Sequence, residues 1–265
     1  MIQMKNLDVH YGKTRVLKGI DLRVNKGEIV SVLGPNGVGK TTLLKCLLGM
    51  IKPGSGFIKM DDLDILKMSL TQRARFIGYV PQALPSRFPM TVFDAVLMGR
   101  KPYVRFVPSG EDLEIVSQVL LSMNLSHLAL KEFDRISGGQ KQKVLLARAI
   151  AQEPCYLILD EPSSNLDVKH QLEVMDMLKT LAAKKNIGII MAMHSLNLAA
   201  RFSDRIVMLK SGHMVCNGPP AEVMTCRTIE MVYGILVTIN RANGYPYTIP
   251  LSPVPVNKIN SELLN

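Results

Sequence analysis

Gly34-Pro35-Asn36-Gly37-Val38-Gly39-Lys40-Thr41 is the stretch that decides how this chain is read. It fits the pattern GxxxxGK(S/T) at every fixed position. The glycines let the backbone wrap closely around a phosphate. The first amides of a following helix then point at that phosphate, with the partial positive charge of the helix dipole behind them. Lys40 can reach the β and γ oxygens of a nucleotide, and the Thr41 hydroxyl can ligate Mg²⁺. The flanks agree with this reading. Glu28 to Leu33 is a β-branched run short enough for a buried strand, and Thr41 to Leu48 reads as a helix closed by Gly49. With glycine at about 7% of residues, a chance match in such a chain is on the order of one in a hundred. Strand, glycine loop and helix together predict nucleotide binding. By contrast, Gly12-Lys13-Thr14 has Leu7 where the first glycine belongs, so it reads as a turn.

Further along, Tyr156-Leu157-Ile158-Leu159 is a continuous apolar strand ending in Asp160-Glu161. A carboxylate at a strand end can hold the water shell of Mg²⁺, which is the expectation for Asp160. Glu161, one residue on, is placed to polarise an attacking water as general base. Between the two anchors, Ile136-Ser137-Gly138-Gly139-Gln140 puts a serine and two glycines at the start of a helix, a second place suited to an anion.

The rest of the chain reads as one α/β unit. Ile2–Val9 and Leu17–Val24 are strand-like. Helical patterns fall near 91–99, 111–123 and 138–152, and a helix at 168–184, a strand at 187–193, a short helix at 195–202 and a strand at 204–209 follow. Such alternation is typical of a parallel sheet, so the helical block over about 91–153 reads as an insertion within an α/β core. Residues 1–227 form that single domain. Residues 228–265 are a C-terminal extension, and Pro246, Pro250, Pro253 and Pro255 leave its last twenty residues without a structural assignment.

Composition bounds the functions open to it. In 265 residues, 47% are hydrophobic and 20% charged, enough for a sizeable core and against disorder. A net charge of +10 permits nucleic acid, nucleotide phosphates or an anionic membrane surface, and selects none. Cys46, Cys155, Cys216 and Cys226 include no CxxC pair, which favours reduced thiols in a cytosolic protein. The N-terminus lacks a secretory pattern, and no apolar run approaches the ~18 residues of a membrane span. Any membrane role is expected to go through a partner.

In the order and spacing of these motifs the sequence resembles the ATP-binding cassette (ABC) family of ATPases over roughly residues 1–227. Ile136–Gln140 matches the family signature LSGGQ with isoleucine for leucine. The resemblance implies a P-loop NTPase (RecA-like) core with an antiparallel β subdomain and an inserted α-helical subdomain, and an enzyme that hydrolyses Mg-ATP. It implies nucleotide contacts from Gly34 through Thr42. It makes Tyr11 the aromatic that stacks on adenine, and Gln82 the glutamine that touches Mg²⁺ or the γ-phosphate side and links to the partner. Thr41, Gln82 and Asp160 would be the metal ligands. Ser164-Asn165-Leu166-Asp167 matches the loop that crosses between subunits, which places Asp167 at the nucleotide. His194 matches the histidine that contacts the γ-phosphate. Two cassettes of this family pack head to tail, so Ser137, Gly138, Gly139 and Gln140 would serve the ATP of the opposite chain. ATP would favour the closed dimer, and hydrolysis would release it.

One cassette without a span fits the separate ATPase subunit of an importer. It would sit on the cytoplasmic face of the membrane as a homodimer, or as a heterodimer with a second cassette, against integral permease subunits, connected only indirectly to an extracytoplasmic solute-binding protein and with no nucleic-acid partner. Thr91 to Tyr103 looks like the start of the helical domain in the ATPases of iron–siderophore, haem and vitamin B12 importers. Molybdate or tungstate importers, and a soluble cassette such as that of iron–sulfur cluster assembly, are the alternatives. Arg73, Arg75, Arg100, Lys101 and Arg105 read as scattered solvated charge, or else as a basic face toward the membrane partner.

Overall fold

The structure, a computed structural model, describes residues 1–82, 90–164 and 166–254. Strands β1 (Ile2–Tyr11) and β2 (Thr14–Val24) alternate buried and exposed residues along most of their length and pair antiparallel. Strand β3 (Ile29–Leu33), buried at every residue, runs into the glycine loop and then into helix α1 (Lys40–Leu47). Strands β4 (Ser55–Met60) and β5 (Leu63–Asp64) complete an antiparallel sheet in the order β2-β1-β4-β5. Helix α2 (Leu70–Phe76) leads to β6 (Ile77–Val80). Three helices follow: α3 (Val92–Leu97), α4 (Gly110–Ser122) and α5 (Gly138–Ala151). Each opens on a reciprocal capping box, Thr91 with Asp94, Ser109 with Asp112 and Ser137 with Gln140, which satisfies amides left over at a helix start. The chain then alternates β7 (Tyr156–Asp160), α6 (Val168–Lys185), β8 (Gly188–Ala192), α7 (Leu196–Phe202) and β9 (Arg205–Lys210). It finishes with β10 (His213–Gly218), α8 (Pro220–Val223), α9 (Cys226–Tyr233), β11 (Ile235–Ala242) and β12 (Tyr245–Pro253).

The main sheet has the order β10-β9-β3-β8-β7-β6. Its inner strands pair parallel, and β10 alone in it runs antiparallel to its neighbour. A parallel sheet covered on both faces needs apolar residues at every strand position. That is why these runs do not alternate in sequence, yet alternate in what they touch. Leu157, Leu159, Ile189 and Met191 pack into one core with the helices α3 to α7. Ile158, Ile190 and Ala192 face a second core shared with α1 and the antiparallel sheet.

In the antiparallel sheet one carboxylate ties three strands. Asp8 of β1 accepts from Arg15 Nε (3.0 Å) and the Gly19 amide (2.9 Å) on β2, and from the Ser55 hydroxyl (2.8 Å) on β4. Arg15 above all, then Ser55 and Gly19, hold the Asp8 carboxyl down to about 2. Its folded value lies below the ordinary one, so its stabilisation is complete above about pH 4 and drains away as pH falls through about 2. Asp8→Asn is therefore expected to flatten the fall in stability over that interval, read by urea unfolding at a series of pH values. An unchanged slope would remove Asp8 as its source.

Arg100 corrects the expectation of solvated charge. It is 5% exposed and donates from Nε to Asp112 (2.8 Å) and from Nη1 to the Ala151 carbonyl (2.9 Å) and Glu153 (2.8 Å). Its guanidinium lies 4.2 Å from the centre of the Tyr103 ring. It is a buried tie from the turn after α3 to the start of α4 and the end of α5, and belongs to no surface. Arg100→Leu leaves Asp112 buried without its cation and is expected to cost about 3 kcal/mol, measured by denaturant unfolding. A loss under about 1 kcal/mol would mean that water replaces the guanidinium.

The C-terminal extension is ordered up to residue 254, where the prolines left it unassigned; Pro255 falls outside the described residues. Strands β11 and β12 form an antiparallel hairpin that packs against α7 and α9. Both backbone groups of Thr248 bond to Asn197, so Thr248 lies on the edge of β12 away from β11. With the two-residue period of a strand, Pro246 and Pro250 share that edge, where no ladder donor is needed.

Candidate functional site

The C-terminal ends of the parallel strands converge at one edge of the main sheet, the place where open α/β sheets receive ligands. The glycine loop leaves β3 there, Asp160 and Glu161 end β7, His194 follows β8, and Gln82 follows β6. Asn36, Gly37, Gly39, Lys40, Thr41, Thr42, Gln82, Glu161 and His194 line a cleft of about 370 Å³ at this edge.

Two glycines of the loop are required by geometry. Gly34 sits at φ +145°, where a Cβ would meet the Leu209 carbonyl oxygen at 2.5 Å. Gly39 sits at φ +109° and a Cβ there would meet Leu17 Cδ2 at 2.7 Å. Pro35 and Val38 carry the loop between them, with Val38 buried in the second core. Gly39 is also the N-cap of α1, with no side chain to satisfy the helix's first amides. Those amides are free to bind an anion.

Lys40 is 6% exposed, and its ammonium donates to the carbonyls of Gly34 (2.6 Å) and Pro35 (3.0 Å). Burial pushes its pKa down, while the negative charges of Glu161 and Asp160 oppose that shift. Asp160, also 6% exposed, accepts from the Thr41 hydroxyl (3.2 Å), and burial raises its carboxyl. A hydroxyl, a carboxylate and the amide oxygen of Gln82 are hard oxygen donors of the kind Mg²⁺ takes. Among the described residues no group of three or more His, Cys, Asp and Glu could cage a metal. The hydroxyl, carboxylate and amide oxygens fit a magnesium ion that shares its shell with substrate phosphates.

Glu161 occupies a left-handed backbone conformation, φ +53°, and its amide donates to the Ala192 carbonyl (3.1 Å). Its carboxylate is held on both sides. Gln82 Nε2 donates to one oxygen at 2.6 Å, and His194 Nε2 contacts the other. Three expected residues from three loops therefore meet beside the phosphate loop.

Other expected residues lie elsewhere. Tyr11 is 50% exposed at the end of β1 and does not line the cleft. Ser137 caps α5 by accepting from the Gln140 amide (3.3 Å) while Gln140 Oε1 accepts from the Ser137 amide (3.0 Å). Ile136 before it is buried, which explains the apolar residue at that position. An added Cβ on Gly138 would meet open space, and on Gly139 the His170 ring at 3.0 Å. Asp167 caps α6, accepting from the His170 amide (2.9 Å), and the hydrogen bonds from His170 hold its carboxyl low. The stretch Ser137–Gln140 and Asp167 thus make a separate surface outside the phosphate cleft; Asn165 falls outside the described residues. One contact had no signal in sequence. The Tyr233 hydroxyl accepts from the amide of Gly34 (2.9 Å), from a segment with no motif.

Comparison with known proteins gives the family and the fold. The ABC transporter family profile matches residues 17–164. An uncharacterized ABC transporter ATP-binding protein of Methanocaldococcus jannaschii is 43% identical over 95% of this chain and 98% of its own length. The petrobactin import ATP-binding protein of Bacillus subtilis is 36% identical over 90% and 95%, and the hemin import ATP-binding protein of Bordetella avium 35% over 88% and 92%. A solved chain from an inward-facing ABC transporter described as of metal-chelate type superposes with a TM-score of 0.84 at 31% identity, over 94% of this chain and 96% of that one. The fold is that of the P-loop ATPase cassette. The chain belongs to the ABC transporter family and is an ATP-binding, ATP-hydrolysing cassette.

Proposed function

We propose that this chain is the ATPase subunit of an importer for a metal chelate of the iron–siderophore, haem or cobalamin class. The observation that carries the chemistry is Glu161, held between Gln82 and His194 beside the phosphate loop. In that setting Glu161 is the general base that takes a proton from the attacking water. Gln82 and His194 orient its two oxygens, and His194 is within reach of the γ-phosphate. Lys40 and the first amides of α1 bind the β and γ phosphates. Mg²⁺, bound by Thr41, Asp160 and Gln82, would supply charge neutralisation on those phosphates. Ser137, Gly138 and Asp167, exposed, and Gly139 and Gln140, half-buried, all lie away from their own cleft and complete the site of a second copy packed head to tail, whose Tyr11 lies on the adenine side.

The solute class rests on relatives of matching length that are named for petrobactin and hemin import, and on the metal-chelate likeness of the solved neighbour. Among the described residues no helix is long and apolar enough to cross a membrane, so the importer reading needs separate permease subunits. A groove of about 770 Å³ between α2, α5 and the turn after α3 suits them. Met50, Leu70 and Met98 at its rim are more than half exposed, and Arg73, Arg75, Lys101, Arg105 and Arg148 line it without an acidic side chain among its lining residues. It fits a short amphipathic segment with an acidic residue, presented at the cytoplasmic face of the membrane. The solute-binding protein would act through the permease alone.

The test is capture of partners by tagged Glu161→Gln chain in native cells with Mg-ATP, read by mass spectrometry. A polytopic membrane protein in the complex is expected, and its gene neighbours would identify the solute. Soluble assembly factors alone would overturn the importer reading and leave the ATPase standing.

A further inference from the structure

The C-terminal extension touches the nucleotide cleft at two points, and both touch it indirectly. The first is Tyr233, the last residue of α9, whose hydroxyl accepts from the Gly34 amide (2.9 Å). The carbonyl of the same glycine is in use as well, receiving Lys40 Nζ at 2.6 Å. One hydrogen-bonded line thus runs from α9 through Gly34 to the phosphate-binding lysine. Burial pushes the Tyr233 hydroxyl up to about 12, so it stays neutral throughout the working range of pH.

The second point is Asn197, in the first turn of α7. Its side-chain amide mimics a neighbouring strand. Oδ1 accepts from the Thr248 amide (2.8 Å), and Nδ2 donates to the Thr248 carbonyl (3.1 Å). Helix α7 is capped by Ser195, the residue after His194. The clamp on β12 therefore fixes the helix start that aims the histidine at Glu161.

The two points belong to one closed unit. Gly234 ends α9 in the left-handed conformation, and its carbonyl receives the amide of Val254 at the far end of β12 (2.9 Å). The hairpin between them packs Val237 into the main core. A shift of the hairpin would therefore move both contacts together.

We propose that residues 226–254 act as a strap that positions the hydrolytic site through two positioning residues, Tyr233 within the strap and Asn197 of α7 clamped to it. Tyr233 sets the glycine on whose carbonyl Lys40 rests, and so acts on ATP binding. Asn197 sets α7 and acts through His194 on turnover. The second half rests on the role proposed above for His194; the first does not.

The two halves separate in kinetics. In the full-length chain, Tyr233→Phe keeps the ring and removes the acceptor. It is expected to raise the Kd and KM for ATP about three- to tenfold, the range for one lost hydrogen bond, with kcat little changed. Asn197→Ala keeps a strong helix former in α7. Misaiming His194 is expected to lower kcat on the order of tenfold, with the Kd little changed. Should Asn197→Ala fail to fold, Asn197→Asp keeps the acceptor for the Thr248 amide and sets a carboxylate against its carbonyl, with the same expected result. Hydrogen exchange gives a readout that activity does not enter: the Gly34 amide should lose protection in Tyr233→Phe and keep it in the Asn197 variants.

A generally structural extension would instead lower the melting temperature and move Kd and kcat together in both variants. That result, or kinetics like the parent chain in either, overturns the strap. His194→Ala serves as the reference. If it leaves turnover intact, the role of His194 fails, and the Tyr233 arm still decides the strap's action on the phosphate loop.

Discussion

Glu161→Gln is expected to lower steady-state ATP turnover by a factor of about 10² to 10⁴, the contribution of a positioned general base. The substitution keeps the shape of the side chain and removes its negative charge. Gln82 and His194 therefore keep a neighbour of the same size, and the fold has no cavity to absorb. ATP binding is expected to persist or tighten. In the site proposed above the loop, α1 and Lys40 hold the phosphates, and removing a carboxylate from the cleft reduces repulsion of a polyanion. Lys40 rests on the Gly34 and Pro35 carbonyls and not on Glu161, so the substitution leaves its ammonium in place. Single-turnover hydrolysis beside equilibrium binding checks both arms. Full turnover in the variant would remove Glu161 as the base.

Gly139→Asp should abolish most hydrolysis by a different route. Residue 139 stands in the first turn of α5, where an acidic side chain is favourable to the helix dipole by about 0.5 kcal/mol. The new Cβ meets the half-buried His170 ring at 3.0 Å, so the ring must give by a few tenths of an ångström. Folding is thus retained. What changes is the charge on a surface that lies outside the chain's own phosphate cleft. If that surface completes the site of a second copy, a carboxylate there opposes the triphosphate, and turnover is expected to fall on the order of 100-fold, as when a charge-stabilising donor is lost. Binding of ATP to a single chain is expected to stay unchanged. Ser137→Ala is a less clean probe, because the Ser137 hydroxyl also caps α5 and its loss costs about 1 kcal/mol of helix stability. Equal loss of binding and turnover in Gly139→Asp would place the segment in its own chain's site.

Much of the catalytic edge was legible in the sequence because its chemistry depends on fixed spacing. The loop from Gly34 to Thr41 needs its glycines where a side chain would strike Leu209 or Leu17, so the pattern survives as a string of letters. Apolar strands such as Tyr156–Asp160 are buried on both faces and read as unbroken runs. Gln82 and His194 entered only through the resemblance, and their meeting with Glu161 had no signal, since nothing in the local sequence joins residues 79 and 33 apart. Arg100 was misplaced for a physical reason. A charged residue reads as solvated unless its partners are known, and Asp112 and Glu153 become its neighbours only when the chain folds. The hairpin β11–β12 was hidden by Pro246 and Pro250, which deny a strand in a sheet interior and are tolerated on a free edge. Tyr233 carried no signal, because a single hydroxyl aimed at a backbone amide leaves no pattern along the chain.

The backbone of Glu161 bears on how this position can change over generations. A left-handed conformation costs an ordinary residue about 1 kcal/mol or more, and glycine almost nothing. Thermodynamic stability alone would favour a glycine at a position whose φ is +53°. On the role proposed for Glu161, such a change would leave a chain that binds ATP and does not spend it. With Glu161 as the base proposed above, the carboxylate is kept there for turnover and not for the fold, so the loss of glutamate at this one place in a related sequence would mark a cassette that has given up hydrolysis while keeping its shape.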